Sequence, residues 1–279
     1  MKKVLATDLD GTLFYPMHKV KMINPKSLAF LRRFIDDGNK LILISGRNHL
    51  YCKKVVKKIN RPVDVIGCNS SYIISNGELI KNTCFEPNLL KEILEQLKKE
   101  FRLRAVLMMA DSDNYICTKS FDSLFYTIGY HFWVWSQGAY RERFKLSNKK
   151  FYRALNEGHV YKMMLMFGIG EDGCKKASEA NKVIREKYGD KVESSWSKEM
   201  IELSPFGCSK AEGLKYYLNY HKINPEDIIV VGDSGNDISM FNEFYENSFC
   251  MAQAPLSVSK YAKNIVENFW DLEKFIERK

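Results

Sequence analysis

The chain has 279 residues and a formal net charge of +9 at neutral pH, long enough for two ordinary domains and a buried core without covalent staples. With 45% hydrophobic and 28% charged residues, it has the composition of a globular protein, which excludes long disordered tracts. No apolar run approaches the roughly 18 residues of a membrane span, and the stretch from Val4 to Thr7 is too short for a signal-peptide core, so a cytoplasmic protein without a membrane partner is expected.

In chain order, Val4–Thr7 is a short apolar run that meets Asp8. Asn24-Pro25 opens a helix, with Asn as N-cap and Pro in the first turn; Leu28, Leu31 and Ile35 fall on one face and Gly38 closes it. Residues 41–44 form a continuous apolar run, residues 49–58 read as a helix, and Val63-Asp64-Val65-Ile66 is a further strand-like run, apolar but for Asp64. Much later a helix over 210–220 precedes the apolar run 228–231. Apolar runs between helices are the mark of parallel strands buried on both faces, and the expected product is a doubly wound α/β sheet.

The middle of the chain breaks this rhythm. It reads as helix 87–101, strand 105–109, an aromatic-rich stretch, strand 162–167, helix 173–188, and strands 191–196 and 200–203. That pattern predicts a separate α+β unit inserted into the sheet domain, with turn chemistry at Gly77 and Ser204-Pro205-Phe206-Gly207 near the crossings. The expected division is a core of 1–81 with 205–279 and an insert of 82–204.

Polar clusters follow the apolar runs. Asp8-Leu9-Asp10-Gly11-Thr12 follows the first, Ser45-Gly46-Arg47 the second, and Gly232-Asp233-Ser234-Gly235-Asn236-Asp237 the last. Ligands of an open α/β sheet bind at the carboxyl ends of its strands, so the clusters are expected to share one crevice. Asp8 and Asp10 would point opposite ways in a continued strand, but Gly11 permits a turn that swings Asp10 back. Asp8, Asp10, Asp233 and Asp237 would then crowd one site, which needs a compensating cation. An all-oxygen ligand set shared with phosphate selects Mg²⁺. Ser45, the Gly46 N–H and Lys210 at a helix start suit phosphate, and a carboxylate nucleophile suits this setting.

These four elements, with Ser209-Lys210 as the third, resemble in order the motifs of the haloacid dehalogenase superfamily, and the insert resembles the cap of its Cof-type phosphatases in position and size. The resemblance implies that Asp8 is nucleophile and metal ligand. Asp10 would be acid and base, giving its carbonyl to the metal, and Asp233 would complete the protein's metal ligands, with Asp237 behind them. Leu9, Thr12, Ser45, Gly46, Lys210 and Asn236 would hold the phosphate. Asn69 stands where the family often carries Asn-Gly-Ala and would face the cap, although Asn69-Ser70-Ser71 departs from that pattern. Arg47 is open between substrate contact and a structural ion pair. The expected activity is Mg²⁺-dependent hydrolysis of a small phosphorylated metabolite through an aspartyl phosphate. A phosphomutase and a non-catalytic phosphometabolite-binding regulator are the alternatives.

Other features read as structural. The aromatic stretch Phe121, Phe125, Tyr126, Tyr130, Phe132, Trp133 and Trp135 suits a cap core, and Arg141, Arg143, Lys145, Lys149, Lys150 and Arg153 suit a solvated face. Seven scattered cysteines with no CxxC pair argue against zinc and disulfide frameworks. Dispersed lysines without a nucleic-acid motif argue against a nucleic-acid partner. The five histidines show no ligand spacing.

Overall fold

The computed structural model describes residues 2–16, 22–118, 128–129 and 142–276. The apolar runs become neighbouring parallel strands: β1 (Val4–Thr7), β2 (Lys40–Ile44), β3 (Asp64–Gly67) and β12 (Ile228–Gly232). With β4 (Tyr72–Ser75), β5 (Glu78–Asn82), β13 (Ser248–Met251) and β14 (Asn264–Val266), they form an eight-stranded sheet ordered β14-β13-β12-β1-β2-β3-β4-β5. Only β4 and β5 run antiparallel to their neighbours. Thr7 pairs with both Leu43 and Val231, and Ile44 pairs with Ile66, so the central strands end level with one another. That register brings the loops after β1, β2, β3 and β12 to one edge of the sheet.

Both faces of these strands are apolar, so both are covered. Val4, Ala6, Ile42, Ile44 and Val230 pack with Leu214, Tyr217 and Leu218 of α6 (Lys210–His221) and with Met240 and Phe241 of α7 (Ile238–Glu243). The opposite residues Leu5, Leu41 and Leu43 are equally buried, and here α1 (Pro25–Asp36) packs on β2 and α2 (His49–Ile59) on β3. Asn24 caps α1 by accepting from the Lys26 N–H, and Gly38 ends it with φ of 85°. The expected inward face of α1 needs correction. Ser27, Phe30, Leu31 and Phe34 are the buried residues, while Leu28 and Ile35 flank them half-buried. Phe30 edges onto Phe269 at 5.8 Å, a partner from the far end of the sequence that turns the helix this way.

The chain divides into two units, Met1–Asn82 with Ser209–Lys279, and Thr83–Cys208. Asn76-Gly77 makes the two-residue turn of the β4–β5 hairpin, with φ of 52° and 84°, the backbone a type I′ turn demands. The second unit holds a six-stranded sheet ordered β10-β11-β9-β6-β7-β8: β6 (Ala105–Ala110), β7 (Asn114–Thr118), β8 (Lys145–Leu146), β9 (Val160–Met166), β10 (Val192–Ser197) and β11 (Met200–Pro205). Its pairs are antiparallel except β7 with β8. Helices α3 (Pro87–Glu100), α4 (Asn148–Glu157) and α5 (Gly170–Tyr188) bury their apolar residues with Met108, Met163, Leu165 and Leu203 of this sheet.

Helix α4 falls where the sequence reading found only a basic stretch. Ser147 caps it, and Phe151, Ala154 and Leu155 give it a buried face. Its basic residues Lys149, Lys150 and Arg153 are exposed, as are Arg143 and Lys145 before it. The aromatic residues of the stretch, Phe121, Phe125, Tyr126, Tyr130, Phe132, Trp133 and Trp135, lie outside the described residues, as do Arg141, His18 and His131.

Gly213 shows how tightly α6 meets the sheet. A Cβ there would lie 2.5 Å from Ser70 Cβ and 2.8 Å from Ile66 Cγ2. Helix propensity alone favours Gly→Ala by up to about 1 kcal/mol, whereas overpacking costs about 1–3 kcal/mol. Gly213→Ala should therefore lower the midpoint of denaturant unfolding. A raised midpoint would mean that the segment beside it yields without cost.

Candidate active site

The end of β1 sets Asp8 in place. Its N–H donates to the Val231 carbonyl at 2.9 Å, continuing the sheet one residue further, and its side chain is buried. The backbone then makes one wide turn over Leu9–Leu13, interrupted where Asp10 is extended and Gly11 has φ of 72°. Gly11 is required twice over. The left-handed backbone disfavours a side chain, and a Cβ would fall 2.0 Å from Asp233 Oδ2. Thr12, in the same turn, donates its hydroxyl to Asp233 Oδ1 at 3.1 Å.

Lys210 reaches this turn from the first residue of α6, whose N-cap Ser209 accepts from the Glu212 N–H. Its ammonium is fully buried, 2.7 Å from Asp8 Oδ1 and 2.6 Å from Asp237 Oδ1. Asp237 uses its other oxygen to gather the loop after β12, accepting from the N–H groups of Asp233 and Ser234 at 2.9 Å and from the Ser234 hydroxyl. This is a capping arrangement of Ser234 and Asp237, a spacing the sequence displays but the sequence reading passed over. Gly232 makes room for it, since a Cβ there would lie 2.3 Å from Asp237 Cγ.

Asp8, Asp233 and Asp237 each offer a carboxylate oxygen within 4.8 Å of the others. One buried ammonium thus faces three carboxylates, and the titration of the group reflects the excess negative charge. Burial, opposed by Lys210 and reinforced by Asp237, holds the Asp8 carboxyl well above the usual range. Burial and then Asp237 push Asp233 up to about 6. Lys210 is disfavoured as a cation by burial, yet Asp237 and Asp8 hold its pKa above the ordinary lysine value. A hard cation between Asp8 and Asp233 would relieve the imbalance. Asp237 is less suited to such an ion, because donors already engage both its oxygens.

The structure takes Asp10 elsewhere than the shared pocket expected of it. Its carboxylate is exposed and forms a fork with Arg47, Nε to Oδ2 at 2.5 Å and Nη2 to Oδ1 at 2.6 Å. The reason is reach: the turn at Gly11 points Asp10 at the loop after β2, where a guanidinium meets it with both oxygens. Ser45 is buried in that loop and accepts the Arg47 N–H at 3.2 Å. The loop after β3 closes on it, with the Cys68 N–H donating to the Arg47 carbonyl at 3.1 Å and the Asn69 N–H to the Ser45 carbonyl at 3.2 Å. Leu9 is buried and Gly46 half-buried. Asn236 is exposed and accepts from the Ser234 hydroxyl at 2.9 Å, so it joins the rim rather than the carboxylate group. Sequence reasoning also missed Tyr72, whose hydroxyl donates to the Arg47 carbonyl at 3.3 Å.

The raised pKa of Asp233 has a consequence for stability. Below about pH 4 the carboxyl is protonated in the folded and unfolded chains alike; between about 4 and 6 only the folded chain keeps the proton. Stability therefore falls as pH rises through that window. In chelator at pH 7, Asp233→Asn should be more stable than the native protein by roughly 1–3 kcal/mol, the difference closing toward pH 4. Urea unfolding at several pH values measures it, and a native protein equal or superior at pH 7 would refute the charge argument.

Comparison with known proteins gives the family. A family model described as haloacid dehalogenase-like hydrolase matches residues 5–270. A 5-amino-6-(5-phospho-D-ribitylamino)uracil phosphatase of Bacillus subtilis is 26% identical over 263 residues, spanning 86% of this chain and 84% of its own. A pyridoxal phosphate phosphatase of Escherichia coli is 23% identical, spanning 85% of this chain and 84% of its own. Among solved structures, a haloacid dehalogenase-like hydrolase from Bacteroides thetaiotaomicron superposes with a TM-score of 0.77 at 20% identity, over 99% of this chain and all of its own. With a level-ended parallel sheet, a buried lysine among three carboxylates and a family match along nearly its whole length, the chain belongs to the haloacid dehalogenase-like hydrolases.

Proposed function

We propose that the protein is a Mg²⁺-dependent phosphatase that hydrolyses a small phosphate monoester, such as a sugar phosphate, through a phosphoryl group carried on Asp8. The observation that carries this reading is the buried Lys210 ammonium holding Asp8 beside Asp233 while Asp10 stands at the rim two residues away. The phosphatase names of the relatives in Bacillus subtilis and Escherichia coli support phosphate-ester hydrolysis, and the substrates in those names are both small phosphorylated molecules.

In this reading Asp8 and Asp233 would hold the metal, together with the Asp10 carbonyl. A bound Mg²⁺ would offset the negative charge and draw phosphate oxygens toward Asp8. The protein's own groups do the rest. Lys210 fixes the Asp8 carboxylate and adds positive charge beneath the phosphate. Ser45, with the N–H groups of Leu9 and Gly46, cradles the phosphate oxygens, while Thr12 steadies Asp233. Asn69 and Asn236 border the site. Asp8 attacks phosphorus as the bond to the leaving oxygen breaks, and Asp10 gives that oxygen its proton. Water then attacks the acyl phosphate, its proton passes to Asp10, and Asp8 is released. All these residues lie in the unit formed by 1–82 and 209–279. The inserted unit is assigned the role of a cap that selects substrates.

Turnover of an aryl phosphate should require a divalent ion and stop in chelator. Asp8→Asn should abolish both turnover and any trapped phosphoenzyme. Asp10→Asn should slow hydrolysis by about 10²–10⁴ while still allowing label to accumulate on Asp8 from an activated ester. Rapid quench with a labelled ester checks this, with release of the label by hydroxylamine. Labelling of Asp8→Asn would transfer the nucleophile's role elsewhere, and unimpaired turnover in chelator would remove the metal from the reaction.

A further inference from the structure

We propose that Arg47 is a positioning residue for Asp10: its guanidinium fork sets the orientation of that carboxyl group and so governs proton transfer at the leaving oxygen, rather than gripping the substrate's phosphate. The inference rests on the phosphatase reading above and adds a role which that reading left open.

Three observations carry it. Arg47 engages Asp10 with Nε and Nη2, at 2.5 and 2.6 Å, so one of the two edges by which a guanidinium grips an oxyanion at two points is already taken by this carboxylate. The pair contributes little to folding. Its side chains are 19% and 48% exposed, and such pairs are worth about 0–1 kcal/mol. Yet Arg47 is held from every side. Its guanidinium carbon lies 4.3 Å from the centre of the Tyr51 ring, its N–H is bonded to Ser45 Oγ, and its carbonyl accepts from the Cys68 N–H and the Tyr72 hydroxyl.

The support is built at a cost in backbone strain. Cys68, Asn69 and Ser70 all take left-handed backbone, with φ of 47°, 57° and 85°, where residues other than glycine lose about 1–3 kcal/mol each. The Tyr72 hydroxyl reaches the Arg47 carbonyl only because residue 67 is glycine, since a Cβ there would lie 1.8 Å from the hydroxyl oxygen. Strain of this kind persists where the surrounding structure fixes a side chain that acts, and the side chain fixed here is one whose fork ends on the proposed acid and base.

The chemistry makes the consequence selective. In the first step Asp8 bonds to phosphorus, the ester bond breaks, and the proton moves from Asp10 to the leaving oxygen. An alkoxide needs that proton far more than a nitrophenolate does. A loosened Asp10 therefore hurts an alkyl ester most, whereas a lost phosphate contact hurts every ester and weakens binding of phosphate itself.

The test compares p-nitrophenyl phosphate with glycerol phosphate, using purified full-length protein and Mg²⁺, with inorganic phosphate as inhibitor. Arg47→Gln should lower kcat/KM for glycerol phosphate at least about ten-fold more than for the nitrophenyl ester, acting through kcat, with phosphate inhibition nearly unchanged. Arg47→Lys should recover part of the loss, since it restores charge without the fork. In an Asp10→Asn background, Arg47→Gln should add less than about two-fold, because the two act as one unit. Tyr51→Leu, which keeps both charges, should show the same selectivity in smaller measure and serves if Arg47→Gln fails to fold. Equal losses on both esters with weakened phosphate inhibition would make Arg47 a phosphate contact. Unchanged selectivity, or full additivity with Asp10→Asn, would overturn the proposal as well. Native protein that turns over neither ester would instead count against the phosphatase reading, before any variant is compared.

Discussion

A lysine ammonium buried without water is costly, and at Lys210 the cost is met by two carboxylates within 2.7 Å. Those carboxylates come from opposite ends of the chain, Asp8 at the end of β1 and Asp237 after β12, while the lysine opens α6. The pair of contacts therefore ties together the first strand, a late strand and the helix between them. Removing the lysine would leave two buried carboxylates without their cation, a loss of about 3–5 kcal/mol in comparable sites. Folding of the sheet and assembly of the site are in this sense one event. The strands must be in register before the ammonium finds both partners.

The rest of the carboxylate group is organised around that contact. Asp237 turns one oxygen to Lys210 and the other to the N–H groups of Asp233 and Ser234, so the same residue neutralises the lysine and folds the loop that presents Asp233. Close approach needs empty space, supplied by Gly11 beneath Asp233 and Gly232 beneath Asp237. What remains after these pairings is an excess of negative charge, visible in the raised pKa values of Asp8 and Asp233. An enzyme of phosphate esters, whose substrate is itself an anion, gains from a cation at such a place, because binding then reduces repulsion instead of adding to it.

A second layer lies above β2 and β3. The loops after these strands are joined by hydrogen bonds from Cys68 and Asn69 to the carbonyls of Arg47 and Ser45, and the left-handed run at 68–70 lets them meet. Gly213 of α6 leaves room for Ser70 on the other side. The helix that carries Lys210 at its start thus also backs the strained loop, so the carboxylate group and the Arg47 loop share one support. Below, Asp64 at the start of β3 accepts from Ser75 and Tyr217, fixing the far end of α6 to the β4–β5 hairpin.

Much of this was legible in the residues alone, for a physical reason. Continuous apolar runs dictate strands buried on both faces, and polar clusters directly after them must surface at one edge of a parallel sheet. Local chemistry announced the Asn24 cap, the Gly38 stop and a turn at Gly77, since each depends on the backbone within a few residues; that the turn closes the β4–β5 hairpin rather than marking a crossing between the units was not legible. The Ser147 cap and the Ser234–Asp237 spacing were equally local and could have been read. Other features depended on packing between distant segments. The face that α1 buries was decided by partners such as Phe269, and the destination of Asp10 by a guanidinium 37 residues away. Likewise, one sequence displays four aspartates and a lysine but not which carboxylates the lysine will join, because that pairing is set by strand register and by the space left at Gly11 and Gly232. Periodicity and turn chemistry determine the elements and where their ends lie; the direction of each charged side chain at those ends is decided only when the elements meet.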